Sequence, residues 1–291
     1  MNYELVEENG FKYIETKGGE ETLLLLHGLL GALSNFDGIL NEFHDKYNVV
    51  IPILPILEMP ILKLSVGGLV EHVHDFVQHK AYKQVHVLGN SLGGHISLLF
   101  TLAYPELVSS ITLTGSSGLF ESAMGTTFPK RGDYEYIKNK AEETFYDPKV
   151  ATKELVDDIF NTVNDRLKAI RIVATSKSAV RQNLEHRLHE LKAPTLLIWG
   201  KQDKVTPPFV GEKFHSLIKN SELHMIDKSG HAPMMEQPKE FNRILEAFLK
   251  KGGELEFILP NENNPEHLKV IASRFNQNEF IIKSKINNCK T

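Results

Sequence analysis

Six short, almost wholly apolar runs recur along the chain, and what separates them limits the folds available. They are "TLLLLHG" (Thr22–Gly28), "NVVIPIL" (Asn48–Leu54), "QVHVLG" (Gln84–Gly89), "SSITLTG" (Ser109–Gly115), "APTLLIWG" (Ala193–Gly200) and "SELHMID" (Ser221–Asp227). Each is strand-length, and most lack the polar alternation of a half-exposed strand, as expected for strands buried on both faces. Between most of them lie segments with helical periodicity. From Val66, the apolar residues Val66, Leu69, Val70, Val73, Phe76 and Val77 fall on one face, which places His72, His74 and Asp75 outward. Repeated strand–helix alternation predicts an α/β protein with a mostly parallel central sheet covered by helices on both faces. Before the first run, Asn9-Gly10 between two strand-like stretches predicts a hairpin, because that turn needs residues tolerant of positive φ.

The alternation breaks between Gly118 and Asn183, a charged, helix-rich stretch with no buried-strand run. It then resumes and ends with a helix over Pro238–Lys250. The expected organisation is therefore a core made of residues 1–117 and 184–252, a helical insertion over 118–183, and a polar tail over 253–291. Composition narrows the function classes. A formal net charge of −4 gives no overall electrostatic footprint for nucleic acid or an anionic membrane. One cysteine, Cys289, excludes an intrachain disulfide framework and a cysteine-built zinc site. The polar start and the absence of a long apolar run predict a soluble, cytoplasmic protein.

The apolar run Val85–Leu88 ends in Gly89-Asn90-Ser91-Leu92-Gly93, a G-x-S-x-G pattern, and helix-like sequence follows at once. Such a turn holds the serine in a strained conformation with its hydroxyl presented to a ligand. The pattern alone arises by chance in roughly one chain in ten of this length, so its context has to carry the reading. A serine hydroxyl is a weak nucleophile. It needs a base, and the base needs an orienting acid. On an elbow of this kind the order along the chain is Ser, acid, His, each at the C-terminal end of a strand. Asp203 follows the Thr195–Trp199 strand and His231 follows the Glu222–Ile226 strand, so both stand where acid and base are required. Glu121 is the alternative acid, and Asp227 reads as solvated.

An acyl-transfer intermediate also needs N–H donors for its oxyanion. Leu92, the residue after the serine, supplies one at a helix N-terminus, and Leu29, in the "HGLLG" loop after the first buried strand, supplies the second. The other histidine groupings read as bland. His72 and His74 cannot share a helix face, and His186 with His189 have basic neighbours and no carboxylate partner.

Taken together, "HGLLG", "GNSLGG", "LLIWGKQDKVTP" and "SGHAPMMEQPKEFNRIL" resemble the α/β-hydrolase fold superfamily over about residues 20–250. The resemblance implies that 118–183 is a lid over a mostly apolar pocket, that the substrate is a small molecule, and that neither metal nor organic cofactor takes part. Within the superfamily, Gly-Asn-Ser-x-Gly-Gly and Lys-x-Gly-His are similar to the meta-cleavage-product (C–C bond) hydrolases. Two positions depart from that subgroup. Ala232 stands where it has tryptophan, and "ELVDDIFN" lacks its substrate-binding lid arginine; Arg166, Arg171 or Arg181 are the substitutes on offer but read as ordinary surface arginines. The apolar loop "IPILPILEMPIL" replaces an Asp-x-Pro-Gly-like segment and is expected to shape the pocket wall or pack on the lid. The leading expectation is a carboxylesterase-like serine hydrolase using Ser91, His231 and Asp203. C–C bond hydrolysis is the chemical alternative, and a non-catalytic ligand receptor is the alternative of another class.

Overall fold

The computed structural model describes residues 3–31, 33–120, 130 and 132–251. Among them, β1 (Val6–Glu8), β2 (Phe11–Glu15), β3 (Thr22–Leu26), β4 (Asn48–Pro52), β5 (Val85–Asn90), β6 (Val108–Thr114), β7 (Thr195–Gly200) and β8 (Ser221–Ile226) form one sheet. Its spatial order is β1-β2-β4-β3-β5-β6-β7-β8. The hairpin β1–β2 and the pair β2–β4 are antiparallel, and every pairing from β4 to β8 is parallel. All six apolar runs are strands.

The pleat explains why these runs are apolar throughout. Leu23 and Leu25 of β3 point to one face, against α1 (Asp37–Phe43) and the C-terminal helix Pro238–Lys250, among Phe43, Phe241 and Phe248. Leu24 and Leu26 point to the other, against α2 (Val66–His79) and α3 (Leu92–Ala103), among Val70, Phe76 and Ile96. With water excluded on both sides, each such side chain contributes about 1.5–3 kcal/mol of burial free energy. The six apolar positions predicted for α2 are all buried, and the Ser65 side chain caps the helix by accepting from the Gly68 N–H at 2.9 Å.

His72 differs from the sequence reading. It is half-buried, with its ring 5.1 Å from that of Phe11, and burial pushes it below the usual histidine range. The hairpin carries Phe11 over the flank of α2, a tertiary cover that helical periodicity alone does not reveal. His74 likewise lies flat on Tyr104, with ring centroids 4.0 Å apart.

Between β6 and β7 the chain forms α4 (Tyr134–Glu142), α5 (Lys153–Asn164) and α6 (Arg166–Arg181). Asp133, Thr152 and Asp165 cap them, and no strand interrupts them among the described residues. The remaining helices are α7 (Pro208–Leu217), α8 (Pro233–Glu236) and α9 (Pro238–Lys250). None among the described residues is long and apolar enough to cross a membrane. Glu121 and the tail 253–291 lie outside the described residues.

The topology positions the site. β4 and β5 lie on opposite sides of β3, so the chain reverses its direction of travel across the sheet there and opens a crevice at the C-terminal strand ends. The segments carrying Leu29, Ser91, Asp203 and His231 all leave the sheet at that edge.

Candidate active site

β5 is buried along its whole length and ends at Ser91, where the backbone turns through φ 55° and ψ −118° before α3 begins. A serine in the left-handed region is strained and persists only where its surroundings hold it. Three backbone–backbone hydrogen bonds do so here. The Ser91 N–H donates to Thr114 O at 3.2 Å, and the Ser91 carbonyl accepts from His95 N at 3.2 Å and Ser117 N at 3.1 Å. The close turn requires glycine at 93, since a Cβ there would lie 1.9 Å from the Leu26 carbonyl oxygen. The helix N-terminus is thereby drawn onto the end of β3.

Asp203 sits in the turn after β7 with its side chain fully buried. Its Oδ1 accepts from Val205 N at 2.8 Å and Thr206 N at 2.9 Å, while Oδ2 accepts from Thr206 Oγ1 at 2.8 Å. Oδ2 also meets His231 Nδ1 at 3.0 Å. The carboxylate therefore fixes the proton on Nδ1 and leaves Nε2 as the free base, held by four partners in a desolvated turn. His231 is itself buried, and its N–H donates to Thr144 O at 2.9 Å, just after α4.

Ser91 is tied to this pair through its neighbours. Asn90 Nδ2 donates to the His231 carbonyl at 3.1 Å and to Thr114 O at 3.0 Å. Gly115, at φ +51°, lets the imidazole approach, because a Cβ there would stand 2.8 Å from His231 Nδ1. Among the described residues the Ser91 hydroxyl makes no hydrogen bond to His231. The structure thus presents a formed Asp–His pair with the serine turn beside it.

Two backbone N–H groups lie on the segments next to the serine turn. Leu92 is the first residue of α3, where no intrahelical acceptor exists, and among the described residues neither its N–H nor that of Leu29 has a protein acceptor. The Leu29 loop lies over the serine, since a Cβ on Gly28 would be 3.3 Å from Ser91 Cβ. His27 pins that loop. Its Nε2 accepts from Leu54 N at 3.0 Å, so Nδ1 carries the proton and donates to Gly28 O at 2.8 Å. Burial lowers the His27 pKa and keeps the ring neutral in that role.

Sequence reasoning missed Asn90 and Glu236. Glu236 Oε1 accepts from Gly230 N at 2.7 Å and Oε2 from Tyr146 N at 2.6 Å, which joins the histidine loop to the inserted segment. Burial pushes this carboxyl above the usual glutamate range. Its signal in the sequence is an acid five residues after the histidine, at the end of a one-turn helix opened by Pro233. Asp227 is exposed and accepts from Gln202 Nε2 at 3.0 Å. Of the arginines, Arg171 reaches the Met59 and Leu167 carbonyls, and Arg166 and Arg181 are exposed. A cavity of about 450 Å³ lined by Leu119, Phe120, Phe209 and Val210 contains none of the candidate catalytic residues, so geometry at the strand ends locates the site better than cavity size does.

Strand order, elbow, acid turn and histidine loop together define an α/β-hydrolase, and a family model described as the alpha/beta hydrolase fold matches residues 21–238. The chain belongs to that family. It is 31% identical, over 81% of its length and 90% of the relative's, to a Pseudomonas putida protein named 2-hydroxy-6-oxononadienedioate/2-hydroxy-6-oxononatrienedioate hydrolase 1. It is 26% identical, over 80% of its length and 91% of the relative's, to the uncharacterized hydrolase YugF of Bacillus subtilis. Among solved structures it is similar to MGS-MChE2, an alpha/beta hydrolase enzyme from the metagenome of lagoon sediments at Mar Chica, Morocco. That match has 42% identity and a TM-score of 0.71, covering 85% of this chain and 98% of the other.

Proposed function

We propose that this protein is a serine hydrolase acting on a carbonyl-bearing small molecule through an acyl-enzyme. The observation that carries the reading is the buried Asp203–His231 hydrogen bond of 3.0 Å beside a serine held at φ 55°. His231 Nε2 takes the Ser91 proton as Oγ bonds to the carbonyl carbon, and the C=O electron pair moves onto oxygen. The Leu29 and Leu92 N–H groups receive that oxyanion, and losing one such donor costs about 3–4 kcal/mol of barrier. When the tetrahedral intermediate collapses, the bond to the leaving group breaks and the leaving group takes the proton from His231. Water then attacks the acyl carbon, giving its proton to His231. The second collapse releases a carboxylic acid and returns the proton to Ser91. The α4–α6 helices serve as the lid that admits and encloses the substrate.

The names of the relatives favour a C–C bond as the one broken, in a 2-hydroxy-6-oxo-dienoate whose leaving carbon is stabilised by conjugation. A carboxylic ester is the second reading, and two observations favour it. Ala232 follows the histidine as a small buried residue, and α5 carries no arginine to hold a substrate carboxylate. Turnover of 2-hydroxy-6-oxononadienedioate and of a nitrophenyl ester by the wild type and Ser91→Ala separates the cases. Serine-dependent cleavage of the dienoate with the larger kcat/KM establishes the C–C reading, and the reverse order establishes the ester reading. Equal rates in the two proteins, above the uncatalysed reaction, would remove Ser91 from the mechanism. No turnover of either substrate would favour a ligand receptor.

A further inference from the structure

The helix α6 carries Arg166, Lys168, Arg171, Lys177 and Arg181 and no acidic residue, within a chain whose net charge is −4. None of the five is ion-paired among the described residues. The cap residue Asp165 accepts from the Leu167 and Lys168 N–H groups. At 100° per residue, Val180, Arg166, Lys177, Ile170, Arg181 and Leu167 fall within one arc of about 140°. That arc faces water: Leu167 is 61% exposed, Val180 47% and Ile170 44%.

The apolar loop before α2 extends the same face. Arg171 Nε donates to Met59 O and its Nη1 to Leu167 O, both at 3.4 Å, while Val66 N donates to Ser178 Oγ at 3.0 Å. These contacts lay residues 59–66 along the helix. At their centre Ile61 is 47% exposed and Leu62 fully so, followed by the exposed Lys63. The loop's first half behaves differently, with Leu54 and Ile56 buried in the core. Only its tip turns large apolar side chains outward.

We propose that the Ile61–Lys63 tip and the outer face of α6 form a docking surface for an anionic lipid bilayer. Apolar side chains interleaved with unpaired cations suit an interface, where the former enter the acyl boundary and the latter sit among phosphates. A second copy of the chain is a poor fit. An isologous contact through this face would set the basic helix of one molecule against that of the other. The expectation of no membrane partner rests on net charge, which averages this local basic face away.

Flotation of the full chain with liposomes tests the proposal. The expected result is binding to vesicles containing phosphatidylglycerol at low salt, little binding to pure phosphatidylcholine, and loss of binding at high salt. Leu62→Asp with Leu167→Asp should weaken binding roughly tenfold or more, and Lys177→Gln with Arg181→Gln should weaken it to a similar extent. The far-UV circular dichroism and melting temperature of both double variants should match the wild type, which shows that they are folded. Absence of binding, binding indifferent to lipid charge and salt, or binding unaltered in the double variants would each overturn the proposal. So would a concentration-dependent dimer that Leu62→Asp dissociates.

Discussion

Asp203 Oδ2 stands 3.0 Å from His231 Nδ1, while Oδ1 of the same carboxylate takes the N–H groups of Val205 and Thr206. Oδ1 holds only the turn, while Oδ2 holds the imidazole as well as the Thr206 hydroxyl, so the hold on the imidazole can be removed with the Oδ1 bonds left in place. In Asp203→Asn the amide oxygen still accepts from the turn, but the amide nitrogen can no longer accept from Nδ1–H, and the ring loses its working tautomer. The expected outcome is a fall in kcat on the order of 10⁴ with KM and melting temperature little changed. A loss of less than tenfold in steady-state assays would show that Asp203 does not orient the base.

Gly115 tests the packing behind the histidine. It combines φ +51° with a space so narrow that a Cβ would lie 2.8 Å from Nδ1 and from the carbonyl oxygen of His231. Gly115→Ala adds left-handed strain of about 1–2 kcal/mol and pushes the ring off its line to Ser91. Turnover should fall about 100-fold, because misplacing a catalytic group by even 1 Å costs that much. Steady-state kinetics together with a thermal melt check this. A protein that melts a few degrees lower yet keeps wild-type kcat would show that the ring is not located by this contact.

The sheet and the candidate trio of Ser91, Asp203 and His231 stood out in the sequence for a physical reason. Strands buried on both faces must be apolar throughout, and a serine turn between strand and helix needs glycine where backbones cross. Asp203 and His231 could then be picked out because each directly follows such a strand. Residues whose roles depend on tertiary neighbours were hidden. Nothing local in "HVHDFVQHK" signals that Phe11 lies over His72. Nothing around Asn90 signals that its amide spans Thr114 O and His231 O, strands away. The basic face of α6 disappeared in a whole-chain charge count.

Glu236 is the link between the histidine loop and the inserted helices. Its two oxygens accept from Gly230 N and Tyr146 N, and His231 N donates to Thr144 O beside them. Glu236→Ala leaves the partly buried Gly230 N–H without its acceptor, at a cost of about 1–3 kcal/mol, and releases the exposed Tyr146 N–H to water. The substitution should lower stability and slow turnover while Asp203 and His231 remain intact. Faster amide hydrogen exchange around Tyr146 and Gly230, with the core strands unchanged, would confirm that the damage is local. Unchanged exchange at both segments would mean that the carboxylate does not tether them.

His95 makes acid stability a readout of the join between the core and the inserted helices. It lies one turn past Ser91 in α3, fully buried, and donates from Nε2 to Gln182 O at 2.9 Å, just beyond the end of α6. Nδ1 has no hydrogen-bond partner among the described residues, and burial pushes the pKa down to about 4. A histidine depressed in the folded state favours folding while it is neutral. Its contribution is present above the ordinary histidine range near 6.5 and is lost as pH falls towards 4. The loss over that window is roughly 3 kcal/mol from this residue. His95→Gln keeps a donor for Gln182 O and cannot titrate. Urea melts from pH 7 to pH 4 should therefore show the wild type losing more stability than the variant, with the gap opening below about pH 6.5. Parallel curves for the two proteins would show that His95 is hydrated in the folded state and that the buried join does not sense acid.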